Sequence, residues 1–523
     1  MGKKLSDLLT IVQKRHPGLF HAENPQDKVV EFITDDSRRI APGAVFVARS
    51  GTHADGAAFL QQAVAGGAAA VVFDPTHAPA GFDLQARQAG AVPVFSSKPA
   101  VLLGYLAQAM AGNPADKLQM LAVTGTNGKT TTTFLMRSML RAAGRRCGLI
   151  GTVETDDCRT IVESAMTTPG PLELAGILAS VVRNGGTAAV MEASSHALSQ
   201  DRLAGLRFNV AMFSNLTGDH LDYHITMENY AAAKARLFSD LDPGSWAVVN
   251  ADDPWSERML RDCKARVLTY GLDREAQFKG TIRRMSGGGM DLEIRGPDAA
   301  NHVIHSSMVG RHNAQNLLCT IAGAWAAGLT WDQILPGLDG MDAVPGRLQP
   351  VHPPGIPPEE MPFHVLVDYA HTHDALENVL TALRPWTRGR IILVFGCGGD
   401  RDTTKRPKMA DVAQRLADDI IVTHDNPRTE DPQSILDMIL AGFSAANLPG
   451  ISVIPDREKA IETAIDAAGE GDIVLIAGKG HENYQIIGKV RHPFDDVKIA
   501  AAALHRRLTA GRTKTVGNMG KGG

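Results

Sequence analysis

The run Thr124-Gly125-Thr126-Asn127-Gly128-Lys129-Thr130-Thr131 sets glycines, one lysine and several hydroxyls between an apolar stretch and a helix-forming one. Glycines let backbone N–H groups turn toward phosphate oxygens, and the N-terminus of the following helix adds a favourable field. Lys129 can balance charge on β- and γ-phosphates, and Thr130 can reach a Mg²⁺ ion. Strand, loop, Gly-Lys-Thr and helix occur in order, which reads as a nucleotide-phosphate loop rather than a plain glycine turn. Its spacing is unusual: two residues, not four, separate Gly125 from Gly128.

Further along lie residues able to handle crowded anions. Nucleotide phosphates crowd negative charge that a divalent metal can offset. Glu192 ends the apolar run Ala188–Met191, in Glu-Ala-Ser-Ser-His, and is well placed as a Mg²⁺ ligand opposite the loop. Ser214-Asn215-Leu216-Thr217-Gly218-Asp219-His220-Leu221-Asp222 follows another apolar run, and His220 offers a neutral imidazole. Lys234, on its residue type alone, is a solvated lysine on a helix. Asp425-Asn426-Pro427-Arg428 follows the run Ile420–Thr423. Carboxyl ends of strands are where ligands sit in open α/β sheets. A guanidinium there can clamp a carboxylate with paired charge-assisted hydrogen bonds.

These motifs resemble the Mur ligase and folylpolyglutamate synthase superfamily, whose loop reads GTNGK(T/G) and whose members make amide bonds through an acyl phosphate. The resemblance spans roughly residues 30 to 508. It implies ATP held by Gly125, Thr126, Asn127, Gly128, Lys129, Thr130 and Thr131. It adds His312, Asn313 and Asn316, from Gly310-Arg-His-Asn-Ala-Gln-Asn, with Arg347 and Asp368 brought by a C-terminal domain. His373 stands where the family has proline. The resemblance makes Lys129, Lys234, Glu192 and His220 catalytic. It also implies Mg²⁺ on Thr130, Glu192, His220 and Lys234, the lysine carboxylated by CO₂ to a carbamate.

For the acceptor, UDP-N-acetylmuramoyl-L-alanyl-D-glutamate, the resemblance points to Ser37 in Asp-Ser-Arg and to Thr52, His53 and Ala54. It adds Thr167 and Thr168 of a Thr-Thr-Pro motif, with Ser194, Gln200 and Arg202; Met166 stands where relatives often carry asparagine. For the incoming amino acid it points to Arg401, Asp425, Asn426, Pro427, Arg428, Gly478 and Glu482, with Glu430 completing Asp-Asn-Pro-Arg-x-Glu. Lysine-adding relatives lack the arginine at 428, so the resemblance implies meso-diaminopimelate. Lysine addition and folylpolyglutamate synthesis are the alternatives within the superfamily, and a nucleotide-binding switch is the one outside it. No general base stands out.

The elements that must position these residues form three α/β blocks. At 523 residues the chain calls for two to four domains. Residues 1–117, carrying strand-like Val45–Ala48, Ala69–Phe73 and Val92–Phe95, form the expected uridine-binding block. Residues 118–344 alternate strands (Leu121–Val123, Ala188–Met191, Val210–Phe213, Trp246–Asn250) with helices (Thr130–Ala143, Leu172–Arg183, Met227–Ser239). They predict a central parallel-sheet ATPase domain. Gly287-Gly288-Gly289 marks a hairpin late in that block. Residues 345–510, with strands Val365–Tyr369, Ile391–Phe395, Ile420–Thr423 and Ile473–Ala477, predict a Rossmann-like domain. The tail 511–523, rich in glycine and lysine, is expected to be disordered.

A net charge of −4 gives no general pull toward nucleic acid or anionic membrane. The five cysteines are scattered without a CxxC pair, which suits reduced thiols and no zinc site. The start MGKKLSDLL lacks an apolar leader, and no apolar run reaches spanning length. The expectation is a cytoplasmic monomer that handles small molecules.

Overall fold

The computed structural model describes residues 2–22, 27–51, 55–286, 289–338, 344–357 and 360–519. Uninterrupted apolar runs such as Met120–Val123 and Ala188–Met191 cannot face water on either side, and they become inner parallel strands covered by helices on both faces. The central sheet has eleven strands, ordered 161–163, 154–156, 147–150, 188–192, 119–124, 210–213, 246–250, 266–271, 278–286, 289–295, 301–306. Its middle is parallel, with Val190 beside both Leu121 and Leu149. Its two ends are antiparallel. Successive residues point to opposite faces. Leu121, Val123 and Val190 therefore pack with helices Lys129–Ala142 and Arg311–Ala326. Met120, Ala122 and Met191 pack with helices Pro171–Arg183 and Met227–Ser239.

The first block is a four-stranded parallel sheet of Phe32–Thr34, Ala44–Val47, Ala70–Phe73 and Val92–Phe95. It sits tightly on the central domain. A Cβ at Gly104, in helix Pro99–Ala111, would lie 2.2 Å from the Ala204 carbonyl oxygen, so only glycine permits that approach. Arg15 ties the same seam to Asp116 at 2.7 Å.

The third sheet has six strands in the order 349–350, 364–368, 473–477, 391–395, 419–422, 452–453, parallel except for the first. Its carboxyl ends, at Asp368, Phe395, Val422 and Ala477, share one rim. Arg457 and Asp496, both fully buried, pair through contacts of 2.9 and 2.7 Å and lock helix Arg457–Ala467 to the last helix. A hairpin of Tyr484–Ile487 and Val490–Pro493 stands off this rim.

Most anticipated strands occur within a residue or two of their expected bounds. The pairing of Phe278–Ser286 with Gly289–Arg295 is the expected hairpin, its tip Gly287-Gly288 lying outside the described residues. Strands Cys147–Ile150, Arg266–Gly271 and Asn301–Ser306 were not anticipated. The helix that begins at Asp496 runs to Met519, into the tail expected to be disordered, whose residues 520–523 lie outside the described residues. Once a helix is nucleated, each added residue fixes few dihedrals per bond gained. The cysteines are all free. Among the described residues, no helix is long and apolar enough to cross a membrane.

Candidate active site

Neighbouring side chains and backbone brace the phosphate loop. Gly128 has φ +88°, and a Cβ there would lie 2.2 Å from Asn316 Oδ1. The Asn127 N–H donates to Asn215 Oδ1 at 2.9 Å, while the Ser214 hydroxyl donates to the Asn127 carbonyl at 2.6 Å. Thr126 Oγ1 accepts from the Thr217 N–H at 3.0 Å. Lys129 folds back on the loop, donating to the carbonyls of Gly125 and Thr126 at 3.0 and 2.9 Å. Burial lowers its pKa from the ordinary lysine value. Thr131 is buried behind it.

Asn313 and Asn316 open helix Arg311–Ala326, joined by a 3.1 Å bond, with the Asn313 amide on the Val309 carbonyl. They shape the loop's floor. His312 lines the same cavity, and burial takes its pKa to about 4, so it is neutral. From the third sheet, Arg347 donates to Thr130 Oγ1 at 3.1 Å and lies over the Tyr369 ring. Asp368 accepts the N–H groups of Leu348 and Ala370 at 2.7 and 2.8 Å, so it fixes the turn that presents Arg347. Thr372 caps the next helix, and His373 occupies its first position, where the ring of a proline would also fit. These parts enclose a cavity of ≈ 590 Å³ between the central and third sheets.

Glu192 is fully buried at the strand end. Its Oε1 accepts from the Thr130 hydroxyl at 3.0 Å and the Thr152 N–H at 2.8 Å; its Oε2 accepts from the Thr152 hydroxyl at 2.9 Å. Lys234 is buried too, donating to the Gly125 carbonyl at 2.7 Å above the Tyr230 ring. Burial, reinforced by the Lys129 charge, holds its pKa well below the ordinary value. The solvated lysine suggested by residue type is thus corrected: the side chain points inward because helix Met227–Ser239 turns this face to the sheet. His220, in a left-handed conformation (φ 54°), is neutral, its pKa taken to about 4 by burial. Among the described residues, no group of three His, Cys, Asp or Glu side chains converges to hold an ion. Thr130 and Glu192 touch, whereas Lys234 is turned to the Gly125 carbonyl.

Beyond Glu192, Thr168 Oγ1 donates to the Glu192 carbonyl at 2.8 Å, and Ser194 caps a short helix through Ala197 N. Arg202 reaches Gln200 Oε1 at 2.7 Å and the Thr168 carbonyl at 2.9 Å, with Met166 Sδ beside it. Thr167 lies 3.0 Å from the Thr152 hydroxyl. Ser37 begins a short turn capped by Asp36, which accepts from Arg38 N. Thr52, His53 and Ala54 lie outside the described residues.

At the rim of the third sheet, two loops interlock. Arg428 (φ 53°) donates to the Gly399 carbonyl at 2.8 Å, and its own N–H and carbonyl are clipped to Ile486 and Gly488 of the hairpin. Asp400 accepts from Thr429, and Glu430 pairs with the buried Arg406 at 2.6 and 2.7 Å. Glu430 is therefore a brace. Arg401 is exposed at the edge of this loop. Deeper, Asn426 donates to Glu482 at 2.7 Å, and the fully buried Lys479 reaches Asn426, Glu482 and Asp425 at 3.1, 3.3 and 3.9 Å. Burial and the neighbouring Asp425 raise the pKa of Glu482. Gly478 is required, since a Cβ there would lie 2.6 Å from Asp425 Oδ2. Pro427, buried, packs its carbonyl against Gly399.

Three family models match in order: the Mur ligase family, catalytic domain, at residues 29–110; the Mur ligase middle domain at 123–324; and the Mur ligase, glutamate ligase domain at 346–480. The chain is 44% identical over 505 residues to the UDP-N-acetylmuramoyl-L-alanyl-D-glutamate--2,6-diaminopimelate ligase of Synechococcus elongatus, covering 96% of this chain and 97% of that one. It is 43% identical over 490 residues to the protein of the same name from Gloeobacter violaceus, covering 93% and 96%. A solved structure under that name matches with TM-score 0.66 and 33% identity, covering 97% of this chain and 100% of the other.

The chain belongs to the Mur ligase family. It is an ATP-dependent amide-bond-forming enzyme with the family's three-domain architecture. The donors near the phosphate loop suit a hard divalent cation such as Mg²⁺: the oxygens of Thr130 and Glu192, the neutral imidazole of His220, and Thr217 Oγ1, which is buried without a partner. Sequence reasoning missed Thr152, Lys479 and His481. Thr152 follows strand Cys147–Ile150, itself unanticipated. Lys479 and His481 sit inside Gly478-Lys-Gly-His-Glu482, and their histidine-lysine pattern after a strand was the available signal.

Proposed function

We propose that this Mur ligase joins 2,6-diaminopimelate, in its meso form, to UDP-N-acetylmuramoyl-L-alanyl-D-glutamate in peptidoglycan precursor synthesis, with ADP and phosphate as by-products. The observation that carries this is the charge layout at the third-sheet rim. Arg428 is fixed above a deeper pair of acids, Asp425 and Glu482, offset by only one lysine. A diamino diacid presents a carboxylate for the guanidinium and an ammonium for the acids. Lysine has no side-chain carboxylate to offer Arg428, and the relatives named above carry the diaminopimelate name.

The reaction follows from the groups around the cavity. The γ-carboxylate oxygen of the acceptor's D-glutamate attacks the γ-phosphorus of ATP, and the bond to ADP breaks. Lys129 and Arg347 offset charge spreading over the transferred phosphoryl oxygens. The neutral amine of the second substrate then attacks the acyl carbon, the C–O bond to phosphate breaks, and the proton shed by the amine leaves with the phosphate. Thr168, Ser194, Gln200 and Arg202 orient the acceptor; Asp425, Asn426, Gly478 and Glu482 orient the amino acid, with Arg401 and Arg428 at its far carboxylate. Bound Mg²⁺ would supply charge neutralisation between the phosphates and Glu192.

Carbamylation of Lys234 belongs to the same reading. CO₂ reacts with a neutral amine, and burial makes Lys234 neutral more readily than an ordinary lysine. A carbamate would give Thr130, Glu192 and His220 an anionic companion. The enzyme acts as a cytoplasmic monomer, where ATP and reduced thiols coexist.

A coupled ADP-release assay tests the reading, with acceptor present and diaminopimelate, lysine or glutamate offered in turn. Release that needs both acceptor and diaminopimelate is the expected outcome. Equal use of lysine, or ATP turnover with neither substrate, would overturn it.

A further inference from the structure

Thr152 lies at the crossing of three binding motifs. Its N–H and hydroxyl together hold both oxygens of Glu192, at 2.8 and 2.9 Å. The hydroxyl oxygen also stands 3.0 Å from that of Thr167 in the acceptor motif. An ionised carboxylate accepts only, so the single Thr152 proton goes to Glu192 and Thr167 must supply the other. Glu192 in turn accepts from Thr130, whose oxygen accepts from Arg347 at 3.1 Å. The result is an unbroken hydrogen-bond chain: Thr167, Thr152, Glu192, Thr130, Arg347.

A second observation points to the same place. A Cβ on Gly151 would lie 2.7 Å from Glu192 Oε1. The Gly151-Thr152 pair is thus a cradle: glycine makes room for the carboxylate and threonine fixes its plane. Carboxylates that bind metal are held in orientation by outer hydrogen bonds.

We infer that Thr152 is a positioning residue, one that sets Glu192 for Mg²⁺ and links acceptor binding to the phosphate loop. This rests on the ligase reading above, in which Glu192 faces the metal. Thr152 touches neither ATP nor the reacting carbonyl in this role; it acts through Glu192. Its loss weakens the metal's hold on the nucleotide complex more than it weakens nucleotide binding itself.

The experiment compares wild type with Thr152→Val, which keeps the shape and the N–H but removes the hydroxyl, and with Thr152→Ser, which restores it. Mn²⁺ binding in the presence of ADP, read by electron paramagnetic resonance, is measured beside metal-free ADP binding, the Mg²⁺ dependence of turnover and the melting temperature. Thr152→Val is expected to lose about 10- to 100-fold in Mn²⁺ affinity or turnover, with metal-free ADP binding and melting unchanged. Thr152→Ser is expected to stay near wild type. Wild-type Mn²⁺ affinity and Mg²⁺ dependence in Thr152→Val would overturn the inference. So would a Thr152→Ser protein as impaired as Thr152→Val, or a Thr152→Val protein that loses metal-free ADP binding equally. Failure of the ligase reading is separable, because wild type itself would then release no ADP in response to acceptor and amino acid.

Discussion

At the scale of single residues, charge is managed by burial. Glu482 shares a buried pocket with Asp425 and Lys479, and burial followed by the Asp425 charge raises its pKa. The sign follows directly. Acidification protonates Glu482 before an ordinary glutamate, so its attraction for a substrate ammonium is lost as pH falls through the raised value. KM for diaminopimelate is therefore expected to rise as pH falls toward the ordinary glutamate pKa of ~4.3. KM for ATP should change less, and Glu482→Gln should flatten the dependence. A pH profile that stays the same in Glu482→Gln would count against this role.

Lys234 and Arg428 give sharper tests. Lys234→Ala should abolish most turnover, and small carboxylates should restore part of it; ¹³C-labelled bicarbonate should label wild type and leave the variant unlabelled. Full activity in Lys234→Ala would exclude a carbamate there. Arg428→Ala should raise KM for diaminopimelate on the order of 10- to 100-fold, the loss of one charge-assisted clamp worth about 1.5–3 kcal/mol, with ATP binding intact. An unchanged KM for the amino acid would remove the specificity argument.

At the scale of elements, the loop before helix Lys129–Ala142 is fixed by backbone conformation and its neighbours. Gly128→Ala would place a methyl 2.2 Å from Asn316 Oδ1 at φ +88°. The left-handed strain alone is worth about 1–2 kcal/mol. Nucleotide binding should fall sharply while the circular-dichroism spectrum stays native; tight ATP binding by this variant would show that the loop has another resting shape. Much of this element was legible in sequence, because a strand, a glycine turn and a lysine at a helix start obey local rules. The short strands 154–156 and 161–163 at one end of the central sheet were not legible. Their pairing comes from the partner strand beside them, and Ile161-Val162-Glu163 is exposed throughout. The role of Thr152 was hidden for the same reason: its meaning comes from Glu192, forty positions away in the chain. Glu430 read as part of a substrate motif and proved to be the partner of buried Arg406, since proximity in sequence does not reveal which way a side chain turns.

At the scale of the whole molecule, the third domain touches the central one through few polar contacts. Arg347 reaches Thr130, and Arg491 on the hairpin reaches Glu163 at 2.6 Å. Both partners of the second pair are about half exposed, at 55% and 48%. Such pairs contribute about 0–1 kcal/mol, so Arg491→Gln should leave the melting temperature nearly unchanged. It should nevertheless raise KM for diaminopimelate, because the same hairpin clips the backbone of Arg428. An unaltered KM would mean that the hairpin keeps its place without the Arg491–Glu163 pair.

The left-handed backbone at Arg428 reaches beyond this enzyme's own catalysis. Glycine or asparagine could inherit that torsion at little expense, whereas branched or bulky replacements would fight it. Substitutions that this torsion tolerates are consequently few, and glycine and asparagine alike give up the guanidinium.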